Sequence, residues 1–140
     1  MGAKILVVDD EIDTLNLMEI TLKQAGYSVL KATDGESCLQ MAEVEHPDLI
    51  ILDIMMPNLS GMDVLKRLNL VYGRPPIILF SAKNRIEDVI AGMEAGAYRY
   101  LVKPTLRAKM LETIKAALDD REKQQSQTKP RRPGIEDPWH

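Results

Sequence analysis

Apolar runs in this chain end on residues able to do chemistry. Ile5-Leu6-Val7-Val8 runs into Asp9-Asp10-Glu11, and Leu49-Ile50-Ile51-Leu52 runs into Asp53. Ile77-Ile78-Leu79-Phe80 runs into Ser81, and the shorter Tyr100-Leu101-Val102 runs into Lys103-Pro104. Unbroken aliphatic runs of this length read as strands buried on both faces, as in a parallel sheet. A carboxylate is costly to bury unless it stands where the strand leaves the core. In open α/β sheets that edge, at the strand carboxyl ends, is where ligands bind. Acids, a hydroxyl and an amine at successive strand ends therefore form one constellation.

The chemistry follows from the donor set. Carboxylates sharing a pocket repel one another, and a divalent cation relieves the repulsion. Oxygen ligands without Cys or His favour Mg²⁺ over zinc. A carboxylate can also be a nucleophile and form an aspartyl phosphate. Phosphoryl transfer then needs positive charge and hydrogen-bond donors on the equatorial oxygens. Mg²⁺ and Lys103 could supply the charge, and Ser81 could donate a hydrogen bond.

The elements that must position these groups form five strand–helix units. The strands are expected at 4–8, 28–32, 49–53, 77–81 and 98–102. A helix from about residue 12 carries Leu15, Met18 and Leu22 on one face and stops at Gly26. A second, near 36–45, follows the turn Asp34-Gly35. Ser60-Gly61-Met62-Asp63 reads as a capping box opening a third, with Met62, Leu65 and Leu68 inward. Ile86, Val89, Ile90 and Met93 have helical spacing and end at Gly96. The last helix carries Met110, Leu111, Ile114 and Leu118. Alternating strands and helices with short loops mean a parallel sheet covered on both faces. The strands with polar residues, Ser28-Val29-Leu30-Lys31-Ala32 and Tyr98-Arg99-Tyr100, are expected at the edges. The expected architecture is α/β, flavodoxin-like and doubly wound, with five helices and strand order 2-1-3-4-5. Its switch point lies between the first and third strands, where Asp9, Asp10 and Asp53 meet.

Composition narrows the classes. The 140 residues suit one domain, and 45% hydrophobic with 28% charged residues suits a soluble globular chain. A net charge of −3 argues against non-specific nucleic-acid binding. One cysteine excludes an internal disulfide and fits a reducing cytoplasm. That cysteine, Cys38, shares a helix with Met41 and reads as a small buried hydrophobe. No apolar stretch reaches the roughly 18 residues that span a membrane, so no membrane insertion is expected. A strand directly after Met1-Gly2-Ala3 argues against a signal peptide, and Leu6 stands where a myristoylation signal needs a hydroxyl. The folded domain is expected over 1–122. Residues 123–140, rich in Gln, Pro and charge, read as a disordered tail or linker.

At this point the chain resembles the receiver domain of bacterial two-component response regulators (the CheY-like superfamily). The matching pieces are Val7-Val8-Asp9-Asp10-Glu11, Leu52-Asp53-Ile54-Met55-Met56-Pro57, Ser60-Gly61-Met62-Asp63, Phe80-Ser81-Ala82, and Ala95-Gly96-Ala97 leading into Tyr100-Leu101-Val102-Lys103-Pro104. The resemblance covers residues 4 to about 120. It implies that Asp53 is the phosphoacceptor and that Asp9, Asp10, Asp53 and the backbone carbonyl of Met55 bind Mg²⁺. It further implies that Ser81 and Tyr100 are switch residues and that Lys103 pairs with the phosphate across a cis Lys103-Pro104 bond. Phosphate should draw Ser81 toward Asp53 and vacate space for Tyr100. Thr105 stands where many members have Phe, and could instead cap the last helix. Met55 and Lys83, flanking the path of a hydrolytic water, are expected to tune dephosphorylation. The implied partners are a sensor histidine kinase or histidine phosphotransfer protein and a downstream protein target, with phosphorylation-dependent dimerisation as one output. No nucleic acid is expected to be contacted by this chain.

Blander readings exist for the pieces taken singly. Asp9-Asp10-Glu11 alone is more often a solvated helix cap, Ser81 a turn residue and Lys103-Pro104 a loop. An aspartyl-nucleophile phosphatase of the haloacid-dehalogenase kind would need a second Asp two residues after Asp53, where Met55 stands. A dinucleotide or nucleotide binder fails for want of its glycine-rich loop. A receiver cut from a longer kinase or regulator is a third reading.

Overall fold

A computed structural model describes residues 2–127, with side chains described as far as Gln125. Five strands alternate with five helices: β1 (Lys4–Val8), α1 (Ile12–Gln24), β2 (Ser28–Ala32), α2 (Gly35–Glu45), β3 (Leu49–Leu52), α3 (Gly61–Leu68), β4 (Ile77–Ser81), α4 (Ile86–Glu94), β5 (Arg99–Val102) and α5 (Arg107–Gln127). The strands pair in parallel in the order β2-β1-β3-β4-β5. This is the flavodoxin-like order expected from strand composition, with the polar strands β2 and β5 at the edges.

Side-chain alternation divides each central strand between two cores. Leu6, Val8, Ile50, Leu52, Ile77 and Leu79 face one way, with Val64, Leu65 and Leu68 of α3 and Cys38 of α2. Ile5, Val7, Leu49, Ile51 and Ile78 face the other, with Leu15, Met18 and Leu22 of α1 and Met110, Ile114 and Ala117 of α5. Residues buried on both sides of a strand explain why these runs are aliphatic without a break. Truncating one to alanine would cost about 2–5 kcal/mol.

The helices start and stop on local chemistry. The carboxylate of Asp34 accepts from the Ser37 N–H at 2.8 Å, and Ser60 and Asp63 form a reciprocal capping box. The α1 end closes with the Tyr27 N–H on the Leu22 carbonyl and the Gly26 N–H on the Lys23 carbonyl, with Gly26 at φ 94°. Gly96 closes α4 in the same way at φ 107°. The last helix runs beyond the expected boundary at 122 and remains helical to Gln127. The expectation of a disordered tail or linker over the rest, 128–140, lies outside the described residues. Glu11 stands at the α1 N-cap position without a side-chain cap bond, so the solvated-cap reading of the acidic triplet does not apply.

The stripe on α4 is where periodicity and burial part. Ile86, Ile90 and Met93 have helical spacing, yet are 71%, 50% and 39% exposed. The buried residue of that helix is Gly92. Cys38, by contrast, is fully buried, and burial, helped by the Asp34 charge, pushes its thiol up to about 12. A thiol reagent at neutral pH should therefore modify Cys38 only as the protein unfolds, and at once in denaturant. Rapid labelling of the native protein would contradict this burial.

Candidate functional site

Because the strands are parallel, their carboxyl ends share one edge. The register places Val8 beside Leu52, so the residues after them, Asp9 and Asp53, stand next to each other. Sheet-type bonding continues past the strands into the site. The Asp53 N–H donates to the Val8 carbonyl at 3.0 Å, the Asp9 N–H to Ala32 at 3.2 Å, and the Lys103 N–H to Ser81 at 2.8 Å. The reactive side chains thus sit on backbone held by the ladder, not on loose loops.

Asp9 and Asp53 are buried, at 2% and 5% exposure, while Asp10 is exposed. One carboxylate oxygen from each of the three lies within 4.8 Å of the others. The Lys103 ammonium donates to Asp9 Oδ2 at 2.6 Å and to Asp53 Oδ2 at 3.2 Å. It also lies 5.3 Å from the centroid of the Phe80 ring. Burial works to lower the Lys103 pKa, but the Asp9 hydrogen bond and the Asp53 and Asp9 charges outweigh it and hold it above the ordinary lysine value. Lys103 is a cation at any physiological pH. The other oxygens of the two buried acids are held locally: Asp9 Oδ1 accepts from the Glu11 N–H at 2.9 Å and Asp53 Oδ1 from the Met55 N–H at 3.0 Å.

Three carboxylates against one ammonium leave an excess of negative charge in a small volume. The oxygen-only donors, two buried and one open to solvent, fit a hard divalent cation that keeps several waters. The Met55 side chain is 51% exposed beside this cluster, and its amide already orients Asp53.

On the β4 side, Ser81 is fully buried, and its Oγ accepts from the Lys83 N–H at 3.3 Å. The Lys83 carbonyl in turn accepts from the Tyr100 hydroxyl at 2.7 Å. Ser81, Lys83 and Tyr100 are therefore linked through the loop after β4. Burial raises the Tyr100 phenol above its ordinary value and the charges of Asp88 and Asp53 add to this, against a Ser81 hydrogen bond that lowers it. The resemblance implies that phosphate draws Ser81 toward Asp53 and vacates space that Tyr100 can enter. Here the ring already packs against the core and its hydroxyl is already bonded to the loop. The Lys83 side chain is exposed.

Three more residues bear on the site. The Lys103–Pro104 bond is cis, as the resemblance implied. Thr105 does not cap α5: the helix starts at Arg107, and the Thr105 hydroxyl instead donates to the Val102 carbonyl at 2.7 Å. Gly61 is a site residue that its sequence motif did not mark as one. A Cβ there would lie 2.1 Å from the Asp53 carbonyl oxygen, so only glycine lets the start of α3 reach the chain leaving β3. Its signal in the sequence is a glycine inside a capping box, where larger residues are usual.

Comparison with known proteins agrees with this geometry. Residues 5–115 match the response regulator receiver domain. The alkaline phosphatase synthesis transcriptional regulatory protein PhoP of Bacillus subtilis is 42% identical over 118 residues, 84% of this chain and 49% of that protein. The transcriptional regulatory protein PrrA of Mycobacterium tuberculosis is 41% identical over 115 residues, 82% of this chain and 49% of that protein. The chain thus spans about half the length of these curated relatives. A CheY-like receiver domain protein from Methanospirillum hungatei superposes with a TM-score of 0.82 at 30% identity, covering 89% of this chain and 99% of that one. A receiver domain from Clostridium thermocellum gives 0.82 at 30% identity over 87% and 98%.

The charge excess has a measurable consequence. Ten times the dissociation constant of Mg²⁺ should stabilise the fold by about 1.4 kcal/mol, a rise of a few degrees in Tm. A melt in MgCl₂ against one in EDTA reads this directly. Asp10→Ala should abolish the difference, and an unchanged rise in that variant would remove Asp10 from the cation site.

Proposed function

Since this chain belongs to the response regulator receiver domain family, we propose that Asp53 is its phosphoacceptor. The observation that carries the reading is the Asp53 carboxylate itself, buried at the end of β3, 3.2 Å from the Lys103 ammonium and clustered with Asp9 and Asp10. An Asp53 oxygen attacks the phosphorus of a phosphohistidine on a partner kinase or phosphotransfer protein. The P–N bond breaks, its electron pair returns to the imidazole, and an aspartyl phosphate forms. Lys103 pairs with one phosphoryl oxygen, and the Ser81 hydroxyl donates to another. Asp9, Asp10, Asp53 and the Met55 carbonyl would hold Mg²⁺, which when bound neutralises charge on the transferring group.

The domain acts as a signalling module and not as an enzyme in the main sense. Among the described residues no helix is long and apolar enough to cross a membrane, and a cytoplasmic location is part of the proposal. Output runs through protein contact on α4, β5 and α5, where Ile86, Ile90 and Met93 present an apolar face. A downstream protein or a second phosphorylated copy would cover it, without nucleic-acid contact by this chain. The folded module is proposed to include α5 to its end at Gln127, past the expected boundary at 122, with the segment after it as a tail or linker. Phosphate at Asp53 would act on Tyr100 only as far as it binds one arrangement of the domain better than another.

Incubation with acetyl phosphate and Mg²⁺ should add one phosphate by mass spectrometry. Asp53→Asn should prevent it while the far-UV circular dichroism stays unchanged, and full labelling of that variant would refute the assignment. Excess EDTA should abolish labelling of the parent.

The lifetime of the phosphate is set at two exposed positions. Hydrolysis needs a water in line with the P–O bond. Met55, two residues after Asp53, cannot hold a water well, and Lys83, two after Ser81, prefers a phosphate oxygen. Slow self-dephosphorylation follows. Met55→Asn combined with Lys83→Glu should release phosphate several-fold faster after donor removal. A rate equal to the parent's would show that positioning at these residues is not limiting.

A further inference from the structure

Gly92 is a puzzle for helix chemistry. It lies inside α4, in ordinary helical backbone that alanine would adopt more readily. Glycine is needed for room. A Cβ at 92 would stand 2.6 Å from Leu79 Cδ1, 3.0 Å from Tyr100 Cδ2 and 3.4 Å from Tyr100 Cε2. The bare Cα therefore forms the floor of a notch that the Tyr100 ring fills.

We propose that Gly92 is a positioning residue: it admits the Tyr100 ring to its inward place and so ties the seating of α4 to the loop over the Asp53 site. Only one of the two neighbours can yield to added bulk. Leu79 is fully buried in the central sheet, with close-packed neighbours on every side. Tyr100 is half-buried on the edge strand β5 and has solvent to rotate into. A side chain at 92 thus displaces the ring and strains the bond from its hydroxyl to the Lys83 carbonyl. That carbonyl belongs to the residue whose N–H donates to Ser81 Oγ. One glycine in this way connects the hydroxyl beside the acidic cluster to the helix carrying the exposed Ile86, Ile90 and Met93. The coupling is physical and two-state: with the ring in, α4 packs on it through Gly92; with the ring out, α4 loses that contact and its apolar face is free to shift. The link from ring to helix stands on geometry alone. Only its role in signalling rests on the phosphoacceptor reading.

The experiment compares the parent with Gly92→Ala. In the parent, NMR should show strong nuclear Overhauser effects between the Tyr100 ring and the Leu79 methyls, and in Gly92→Ala these should fall at least fivefold. Absence from the parent, or persistence in the variant, overturns the proposal. Should Gly92→Ala be poorly folded, the change is made in a Tyr100→Ala background, where Leu79 has space to turn. There it should be tolerated better, by at least threefold in the folded-to-unfolded ratio, than in the parent. Equal effects in both backgrounds would exclude a clash with the ring. Beryllofluoride with Mg²⁺ then separates the two readings. The parent should show amide shifts both around Asp53 and along α4, and Gly92→Ala should keep the first and lose the second. A parent without shifts around Asp53 would defeat the phosphoacceptor reading and leave the ring result standing. A variant whose α4 responds like the parent's would defeat the coupling.

Discussion

Two carboxylates buried side by side, Asp9 and Asp53, are tolerable here because one ammonium lies between them. Lys103 reaches Asp9 Oδ2 at 2.6 Å and Asp53 Oδ2 at 3.2 Å from the far side of the sheet edge. An unpaired carboxylate out of water costs several kcal/mol, so removing the lysine would leave a charge the fold cannot solvate. The constraint reaches outward. Lys103 must follow β5 directly, and its own N–H is fixed on Ser81 at the end of β4. The β1–β3 register must bring the acids together, and a slip of one residue would turn each side chain to the opposite face. The parallel sheet and the charge cluster therefore specify each other.

The compensation is incomplete, and that incompleteness is what makes the edge useful. The third acid, Asp10, is left open to solvent beside the buried pair. Surplus negative charge beside an anchored ammonium is a donor set that would suit a hard cation, and any ligand held there would stabilise the fold. Stability is withheld locally, at the edge where the sheet ends, while both cores stay apolar.

From that edge two paths run to the rest of the molecule. Through Gly61, α3 closes on the chain leaving β3 so tightly that no side chain fits between them. Through Ser81, Lys83 and Tyr100, the loop after β4 is tied to β5 and, at Gly92, to α4. The first path is rigid, because it is backbone against backbone. The second passes through an aromatic ring at the surface, which can occupy more than one rotamer. The rigid path holds the carboxylate, and the rotatable one is the part of this frame that can move.

The five strand–helix units, the edge and central strands, the two cores and the placing of Asp9, Asp53, Ser81 and Lys103 at strand ends are legible in the amino-acid sequence. These follow from local regularities. Aliphatic runs bury on both faces, polar strands go to edges, caps and C′ glycines bound the helices, and parallel strands end on one side. The rest depends on contacts between distant segments, which no local pattern encodes. Lys103 and Asp9 are separated by 94 residues, and no periodicity reports that the ammonium reaches both acids. The stripe Ile86-Ile90-Met93 has the spacing of a buried face, yet α4 sits on the sheet through Gly92 and leaves these residues exposed. Thr105 has the chemistry of a cap, but the Val102 carbonyl lay closer to its hydroxyl. Tyr100 points inward because a carbonyl and a missing Cβ, from two other segments, make room and an acceptor for it. A chain's pattern states which face a residue prefers. Which neighbour it meets there is settled only when the elements pack.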